Sequence, residues 1–136
     1  LLAFAIGDAC KALETGIYVA NITKDWLSPE LLPAVVFIIS SFIAFSTGTS
    51  WGTFAIMLAI SIPMANMHGA DVTIIVAATL GGGIFGDHCS PISDTSIISS
   101  MAAASDHIDH VKTQLPYALV GGAVTVVLYL IIGFWG

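Results

Sequence analysis

The chain is 136 residues long, with 57% hydrophobic and 9% charged residues and a formal net charge of −6. Soluble domains carry about 25% charged residues, so this composition excludes an ordinary water-soluble domain and indicates a membrane protein. Only three residues are basic, which excludes a basic nucleic-acid-binding surface. We therefore expect an all-α membrane protein, a polytopic helical bundle, with no nucleic-acid partner and no cofactor.

The first predicted element is an interrupted span over residues 1–23. Apolar sequence begins at Leu1 without a preceding Met, so we expect the chain to be a fragment of a larger protein. Charged residues three positions apart interrupt the apolar run, and these are Asp8, Lys11 and Glu14. On a helix this spacing lets the lysine pair with either acid, so we expect local pairing here.

Residues 31–66 are the second predicted element and contain no Asp, Glu, Lys or Arg. A single helix over this range would be about 54 Å long at ~1.5 Å per residue, well beyond a hydrocarbon core of roughly 30 Å. Glycine and hydroxyl residues between Ser46 and Thr53 interrupt it. The pattern predicts a re-entrant hairpin or a broken helix, with Pro63 marking the far end of the second arm.

Residues 72–105 repeat this design and are predicted to form another broken helix. An apolar arm runs to the glycine triplet Gly81–Gly83, and a polar segment, Gly86–Ser96, follows it. Pro91 stops the first arm from continuing, because proline lacks the N–H that a helix interior needs. The second arm then starts at Thr95.

The last predicted element is an uninterrupted span over residues 115–135. Either Gln114 or Pro116, on the two sides of its first residue, is the expected helix start. A polar connection, Ser105–Lys112, precedes it. We expect solvated surface for the ionisable residues of this connection, which include His107, Asp109 and His110.

Two interrupted apolar segments in succession are typical of membrane proteins with discontinuous helices. Irregular backbone at membrane depth must be buried in protein or line a cavity, because lipid cannot satisfy its hydrogen bonds. We therefore expect the two breaks to meet near the middle of the membrane and to form a site for a small cation, a proton or both.

Asp87 and Asp94 are the main candidates for Na⁺ binding. A charged group at membrane depth costs about 3 kcal/mol, so a sequence that retains one indicates binding or movement of an ion. Helix capping by Asp94 or Ser93, and pairing of Asp87 with a basic residue outside this chain, are the alternatives. Hydroxyls supply further oxygen ligands, and the candidates are Ser90, Ser93 and Thr95 at the second break and Ser46, Thr47, Thr49 and Ser50 at the first.

Two residues are candidates for the proton carrier. His88 is one, because an imidazole is the side chain that carries protons most readily near neutral pH, although a neutral histidine that donates to a carbonyl fits equally well. Asp87 is the other candidate, because burial favours the neutral form of a carboxyl group. Asp87–Cys89 is a poor zinc site, because three contiguous residues do not easily surround one tetrahedral ion. Sequence neighbours rarely form a catalytic dyad, which argues against a hydrolase built on Ser90 or Cys89 beside His88.

Two motifs give the chain a family resemblance. FSTGTSWGT at Phe45–Thr53 and GDHCSPISDT at Gly86–Thr95 resemble the NhaC-type Na⁺/H⁺ antiporter family of the ion transporter superfamily. The resemblance covers nearly the whole chain. It implies an inverted-repeat fold with a re-entrant hairpin and discontinuous helices, of which this C-terminal fragment is the second half. The hydroxyl-rich tip of the family matches Ser46–Ser50, and its acidic break matches Asp87–Thr95.

The resemblance also implies a function, secondary antiport of Na⁺ against H⁺ by alternating access in a multi-pass protein of the bacterial inner membrane. Na⁺, protons, the lipid bilayer, the missing N-terminal half and a second copy of the protein are the expected partners. Na⁺-coupled exchange of malate or lactate is the alternative within transport. A non-transporting structural subunit is a further alternative, although such a subunit would avoid unpaired polar breaks. No enzymatic activity is expected.

Overall fold

The computed structural model describes residues 2–135, which form seven α-helices and no strand. Leu1 and Gly136 lie outside the described residues, so the first residue of the predicted span 1–23 is not described. The all-helical prediction is confirmed over the described range. The helices are α1 (Leu2–Ala12), α2 (Thr15–Thr23), α3 (Leu32–Thr47), α4 (Ser50–His68), α5 (Val72–Cys89), α6 (Asp94–Ala102) and α7 (His107–Trp135).

Three of the described helices, α4, α5 and α7, are long and apolar enough to cross a membrane. α3 is apolar as well but has only 16 residues. These lengths agree with the membrane class that the composition predicts.

The segment that the sequence predicted as the first span forms two short helices, α1 and α2, that meet at Glu14. This residue has a φ of 51°, a left-handed conformation that turns the chain. Within residues 2–135 the one salt bridge joins Asp109 to Lys112 at 4.0 Å, so the predicted pairing of Lys11 with Asp8 or Glu14 is absent. All three side chains are exposed.

A tight turn joins α3 to α4. α3 is capped by Gly48, whose φ of 64° suits a residue without a side chain and whose N–H donates to the Ala44 carbonyl at 2.8 Å. Thr49 then caps α4, since its Oγ1 accepts from the Gly52 N–H at 3.4 Å. The glycine and hydroxyl residues of this stretch therefore end one helix and start the next.

α5 packs very closely on α3. Gly82 contacts the Phe37 carbonyl and Gly86 contacts the Ser41 carbonyl, so that a side chain at either glycine would overlap the α3 backbone. Residue numbers rise together along the two helices, so α3 and α5 run in the same direction. Small residues at such crossings let two helix backbones approach each other.

α4 also packs on α5 but runs in the opposite direction. The Phe54 ring covers Gly83, and a turn earlier along α5 the Thr79 and Ser61 hydroxyls hydrogen-bond at 3.0 Å. Because α3 runs parallel to α5 and α4 runs antiparallel to it, α3 and α4 form a helical hairpin.

α5 extends past the glycine triplet at which the sequence predicted the apolar arm to stop. Asp71 caps its start by accepting from the Thr73 backbone N–H at 2.7 Å, and this hydrogen bond is the main cause that holds the pKa of the Asp71 carboxyl below its usual range. The helix then passes through Gly81–Gly83 and ends at Cys89. Asp87 therefore lies in a helical turn and not in unwound backbone.

α4 continues through Pro63 to His68, so the prediction that Pro63 marks the end of this arm is wrong. A proline leaves the carbonyl four residues earlier, here that of Ala59, without its helical N–H donor. Gly16 of α2 packs against both the Ala59 carbonyl and the Pro63 ring. A neighbouring helix therefore covers the position where the hydrogen-bond ladder is interrupted.

α7 begins earlier than predicted, at His107, and Pro116 lies inside it. The cause is Asp106, whose carboxylate accepts from the backbone N–H groups of Ile108 at 2.9 Å and Asp109 at 3.2 Å and so caps the helix. The polar connection predicted before the last span is therefore largely the first turns of α7.

The apolar core lies between α2, α3, α4 and α5, and α7 covers one side of it. The Phe37 ring is 3% exposed and lies 5.7 Å from the Phe85 ring and 5.6 Å from the Tyr129 ring, centroid to centroid. Most of the remaining α7 surface is exposed. The other buried core residues are Ala20, Leu27, Leu32, Val36, Met64, Ala65, Ile75 and Ala78.

We expect Gly86→Ala to destabilise the bundle, because the added methyl group would overlap the Ser41 carbonyl and approach the Ala44 Cβ at 2.9 Å. Overpacking of this kind costs about 1–3 kcal/mol. Thermal unfolding of the full-length protein in detergent measures the effect. Gly81→Ala is the matched control on the same helix, since its new methyl group would come no closer than 3.5 Å to the Tyr129 hydroxyl. Equal melting temperatures for the two variants would contradict the packing.

Candidate functional site

The break between α5 and α6 covers the four residues Ser90–Ser93. Asp87 lies in the last turn of α5, one turn before the break, and its side chain is 3% exposed. Ser93 caps α6, since its Oγ accepts from the Thr95 backbone N–H at 3.2 Å. The end of one helix and the start of the next thus bring a buried carboxylate and two hydroxyl residues together.

Both oxygens of the Asp87 carboxylate accept hydrogen bonds from these hydroxyls. Ser93 Oγ donates to Oδ1 at 2.8 Å, and Thr95 Oγ1 donates to Oδ2 at 3.1 Å. The two hydroxyl oxygens are 2.7 Å apart. Among residues 2–135 no lysine lies within salt-bridge distance of Asp87, so hydroxyls and not a basic residue solvate it here.

Two more serines form hydrogen bonds to backbone groups at the break. Ser96 Oγ donates to the His88 carbonyl at 3.2 Å, and Ser90 Oγ accepts from the Ile92 N–H at 3.3 Å. Both serine side chains are buried. These bonds fix the path of the backbone around Asp87.

Asp94 and His88 lie at the surface of the site. Asp94 is exposed at the first position of α6, and the capping role belongs to Ser93. His88 is exposed too, and its Nδ1 lies 3.1 Å from the Ile84 carbonyl, to which it donates. In this conformation neither side chain hydrogen-bonds to Asp87 within the described chain.

The turn of the α3–α4 hairpin meets the α5–α6 break through its backbone. Gly48 packs against the Ile92 side chain and carbonyl, so that a Cβ at Gly48 would lie 2.9 Å from that oxygen. The hydroxyls of the hairpin bond within their own helices, Ser46 to the Phe42 carbonyl at 2.8 Å and Thr47 to the Ile43 carbonyl at 2.9 Å. Thr49 serves as the α4 cap, and Ser50 is half-buried at the start of α4.

Sequence reasoning missed His107, which it assigned to solvated surface. His107 is half-buried, with Nε2 2.6 Å from the Pro91 carbonyl and Nδ1 3.1 Å from the Ser100 hydroxyl. The capping pattern of an aspartate followed by helix-forming sequence at Asp106 was the signal that would have placed this histidine on a helix.

The side-chain atoms at the break that could bind an ion are oxygens. One carboxylate and the neighbouring hydroxyls suit a small hard cation or a proton, whereas soft metals prefer thiolate and imidazole ligands. Residues 2–135 contain no group of three or more His, Cys, Asp or Glu side chains able to hold a metal ion together.

Comparison with known proteins gives the site a family context. Residues 1–134 match the Na⁺/H⁺ antiporter family. An uncharacterized protein of Haemophilus influenzae is 41% identical over 97% of this chain and 26% of its own length. The malate-2H⁺/Na⁺-lactate antiporter of Bacillus subtilis is 29% identical over 81% of this chain and 24% of its own length. An uncharacterized Na⁺/H⁺ antiporter of H. influenzae is 30% identical over 79% of this chain and 23% of its own length.

No solved structure matches the chain. The chain spans about a quarter of the length of these relatives. Its apolar helices and the family that it matches assign it to a membrane. The match over nearly the whole chain shows that it belongs to the Na⁺/H⁺ antiporter family.

Proposed function

We propose that the full-length protein exchanges Na⁺ against H⁺ by secondary active antiport, with Asp87 as the group that binds the two ions in alternation. The observation that carries this proposal is the burial of Asp87 next to a helix break, with a hydroxyl on each carboxylate oxygen. No lysine among residues 2–135 lies within salt-bridge distance of this carboxylate, and a buried charge without a partner is costly, so we infer that a cation or a proton neutralises it. Competition for one carboxylate then couples the two ions.

The hydroxyls complete the Na⁺ shell in this proposal. A hydroxyl that donates its hydrogen to Asp87 still has two lone pairs. Ser93 Oγ uses one of them to accept from the Thr95 N–H, so one remains for a cation, whereas Thr95 Oγ1 offers both. Backbone carbonyls at the break add further oxygens. Ser90, whose buried hydroxyl lies in the same break, is a third candidate.

The remaining candidate residues belong to the surface of the site. We propose Asp94 as a second carboxylate on the ion path and His88 as an alternative proton carrier, because both are exposed beside the break. We propose that the hairpin hydroxyls of Ser46, Thr47, Thr49 and Ser50 also reach the ion. Ser46 and Thr47 would have to give up their bonds to α3 carbonyls, and Thr49 its bond as the α4 cap.

The architecture in which this site works is also a proposal. The α3–α4 hairpin is re-entrant, α5 and α6 are the halves of one discontinuous helix, and the chain is the second half of an inverted repeat. The rest of the full-length protein, together with lipid and a second copy, covers the exposed apolar surface of α7. The bacterial inner membrane is the proposed location, with alternating access as the mechanism.

Transport by the full-length protein in proteoliposomes with an internal pH-sensitive dye tests the proposal. We expect a Na⁺ gradient alone to move protons in the wild type and to move none above background in Asp87→Asn, because the amide carries no negative charge to exchange between ions. Asp109→Asn is the matched control, since this carboxylate is exposed on α7. Full exchange in Asp87→Asn would contradict the proposal.

A second candidate function is Na⁺-coupled exchange of small carboxylates, favoured by the similarity to a malate-2H⁺/Na⁺-lactate antiporter. The same assay separates the two functions when malate or lactate is added with Na⁺. Proton movement that requires the organic acid would assign the protein to carboxylate exchange. This chain contains no arginine, so a basic partner for such an acid would come from the rest of the protein or from a lysine.

We expect Thr95→Val to raise the KM for Na⁺ about tenfold with little change in the maximal rate. Valine keeps the shape of the side chain but removes the hydroxyl that reaches Asp87 Oδ2, and one such hydrogen bond is worth ~1.4 kcal/mol. Na⁺-dependent proton flux in proteoliposomes gives both parameters. Thr113→Val is the control, because its hydroxyl bonds only to carbonyls of α7. An unchanged KM in Thr95→Val would remove this hydroxyl from the Na⁺ shell.

A further inference from the structure

The imidazole of His107 joins the start of α7 to the α5–α6 break and to α6. Its Nε2 is 2.6 Å from the Pro91 carbonyl, and its Nδ1 is 3.1 Å from Ser100 Oγ. A carbonyl oxygen only accepts hydrogen bonds, so Nε2 carries a hydrogen and donates it to Pro91. Because Ser100 is 2% exposed and His107 is half-buried, the contact lies inside the protein.

The carbonyl that His107 holds belongs to the loop that carries the ion-site hydroxyls. Two residues after Pro91 comes Ser93, the donor to Asp87. The next carbonyl in the chain, that of Ile92, packs against the turn of the α3–α4 hairpin. Consecutive peptide groups of the break are therefore held from two directions, one by α7 and one by the hairpin.

Ser100 allows the contact with Pro91 to persist in either charge state of the ring. The Ser100 hydroxyl has one hydrogen and two neighbours, His107 Nδ1 and the Ile97 carbonyl at 2.8 Å. A neutral ring accepts that hydrogen at Nδ1. A protonated ring donates from Nδ1 to the hydroxyl, which then turns its hydrogen to Ile97. In both cases Nε2–H still donates to Pro91.

We infer that His107 is a positioning residue of the ion site. By holding the Pro91 carbonyl it fixes the break so that Ser93 and Thr95 reach the Asp87 carboxylate. Within residues 2–135 His107 itself hydrogen-bonds neither to that carboxylate nor to the hydroxyls that donate to it. The inference rests on the proposed function and deepens it, because it assigns the geometry of the Na⁺ shell to a side chain outside the break.

Three substitutions at one position test the contact with Pro91. In His107→Gln the amide nitrogen reaches about as far as Nε2 and keeps the donor. In His107→Asn the amide nitrogen reaches only about as far as Nδ1, so the donor to Pro91 is lost, and His107→Ala removes both contacts. His110→Ala on the same helix is the control, because this half-buried histidine lies one turn further from the break.

Two readouts are made on the full-length protein, the KM and maximal rate for Na⁺-dependent proton flux and the hydrogen–deuterium exchange of residues 90–96. We expect His107→Ala and His107→Asn to raise the KM about tenfold, the effect of one lost hydrogen bond, at an unchanged maximal rate and to speed amide exchange across the break. His107→Gln and His110→Ala stay within about twofold of the wild type in both readouts.

Unchanged exchange of residues 90–96 in His107→Ala, or equal behaviour of the Gln and Asn variants, would overturn the inference. If His107→Ala fails to fold, the comparison of Gln with Asn decides alone. A wild-type protein that moves no protons with Na⁺ would refute the proposed function instead. The amide exchange of residues 90–96 would still decide whether His107 holds the break.

Discussion

A carboxylate buried inside an apolar bundle is the dominant constraint on this structure. Asp87 is 3% exposed, and leaving its charge without partners would cost several kcal/mol. The α5–α6 break meets this cost locally, because Ser93 caps α6 and also donates to Asp87, with Thr95 on the other oxygen. The end of α5, the start of α6 and the solvation of Asp87 are therefore one feature.

Close helix packing brings the second break to the first. Gly82 and Gly86 let α5 lie directly on the α3 backbone, which aligns the ends of the two parallel helices. The hairpin turn at Gly48 then meets the Ile92 carbonyl. The two breaks thus join through backbone contact, and the hydroxyls of Ser46 and Thr47 stay bonded to carbonyls of α3. A cation that recruits them has to replace those bonds.

Composition and spacing predicted the membrane class, the helical fold and the polar segment at Asp87. Helix ends were predicted less well, because caps and neighbouring helices contribute to them. Asp106 starts α7 early, and α4 continues through Pro63 at a point where Gly16 of α2 packs against it. His107 was missed because its partner is a carbonyl 16 residues away in the chain. Hydroxyls in apolar helices often bond to the preceding turn, which a count of serines and threonines does not reveal.

The central claim is that Na⁺ and H⁺ compete for the Asp87 carboxylate. Titration of the purified full-length protein with Na⁺ in weakly buffered detergent solution, with a pH indicator present, tests it most directly. The claim predicts that Na⁺ binding releases protons from the wild type and that Asp87→Asn releases none. Na⁺ binding to the wild type without proton release, or equal release from Asp87→Asn, would contradict it.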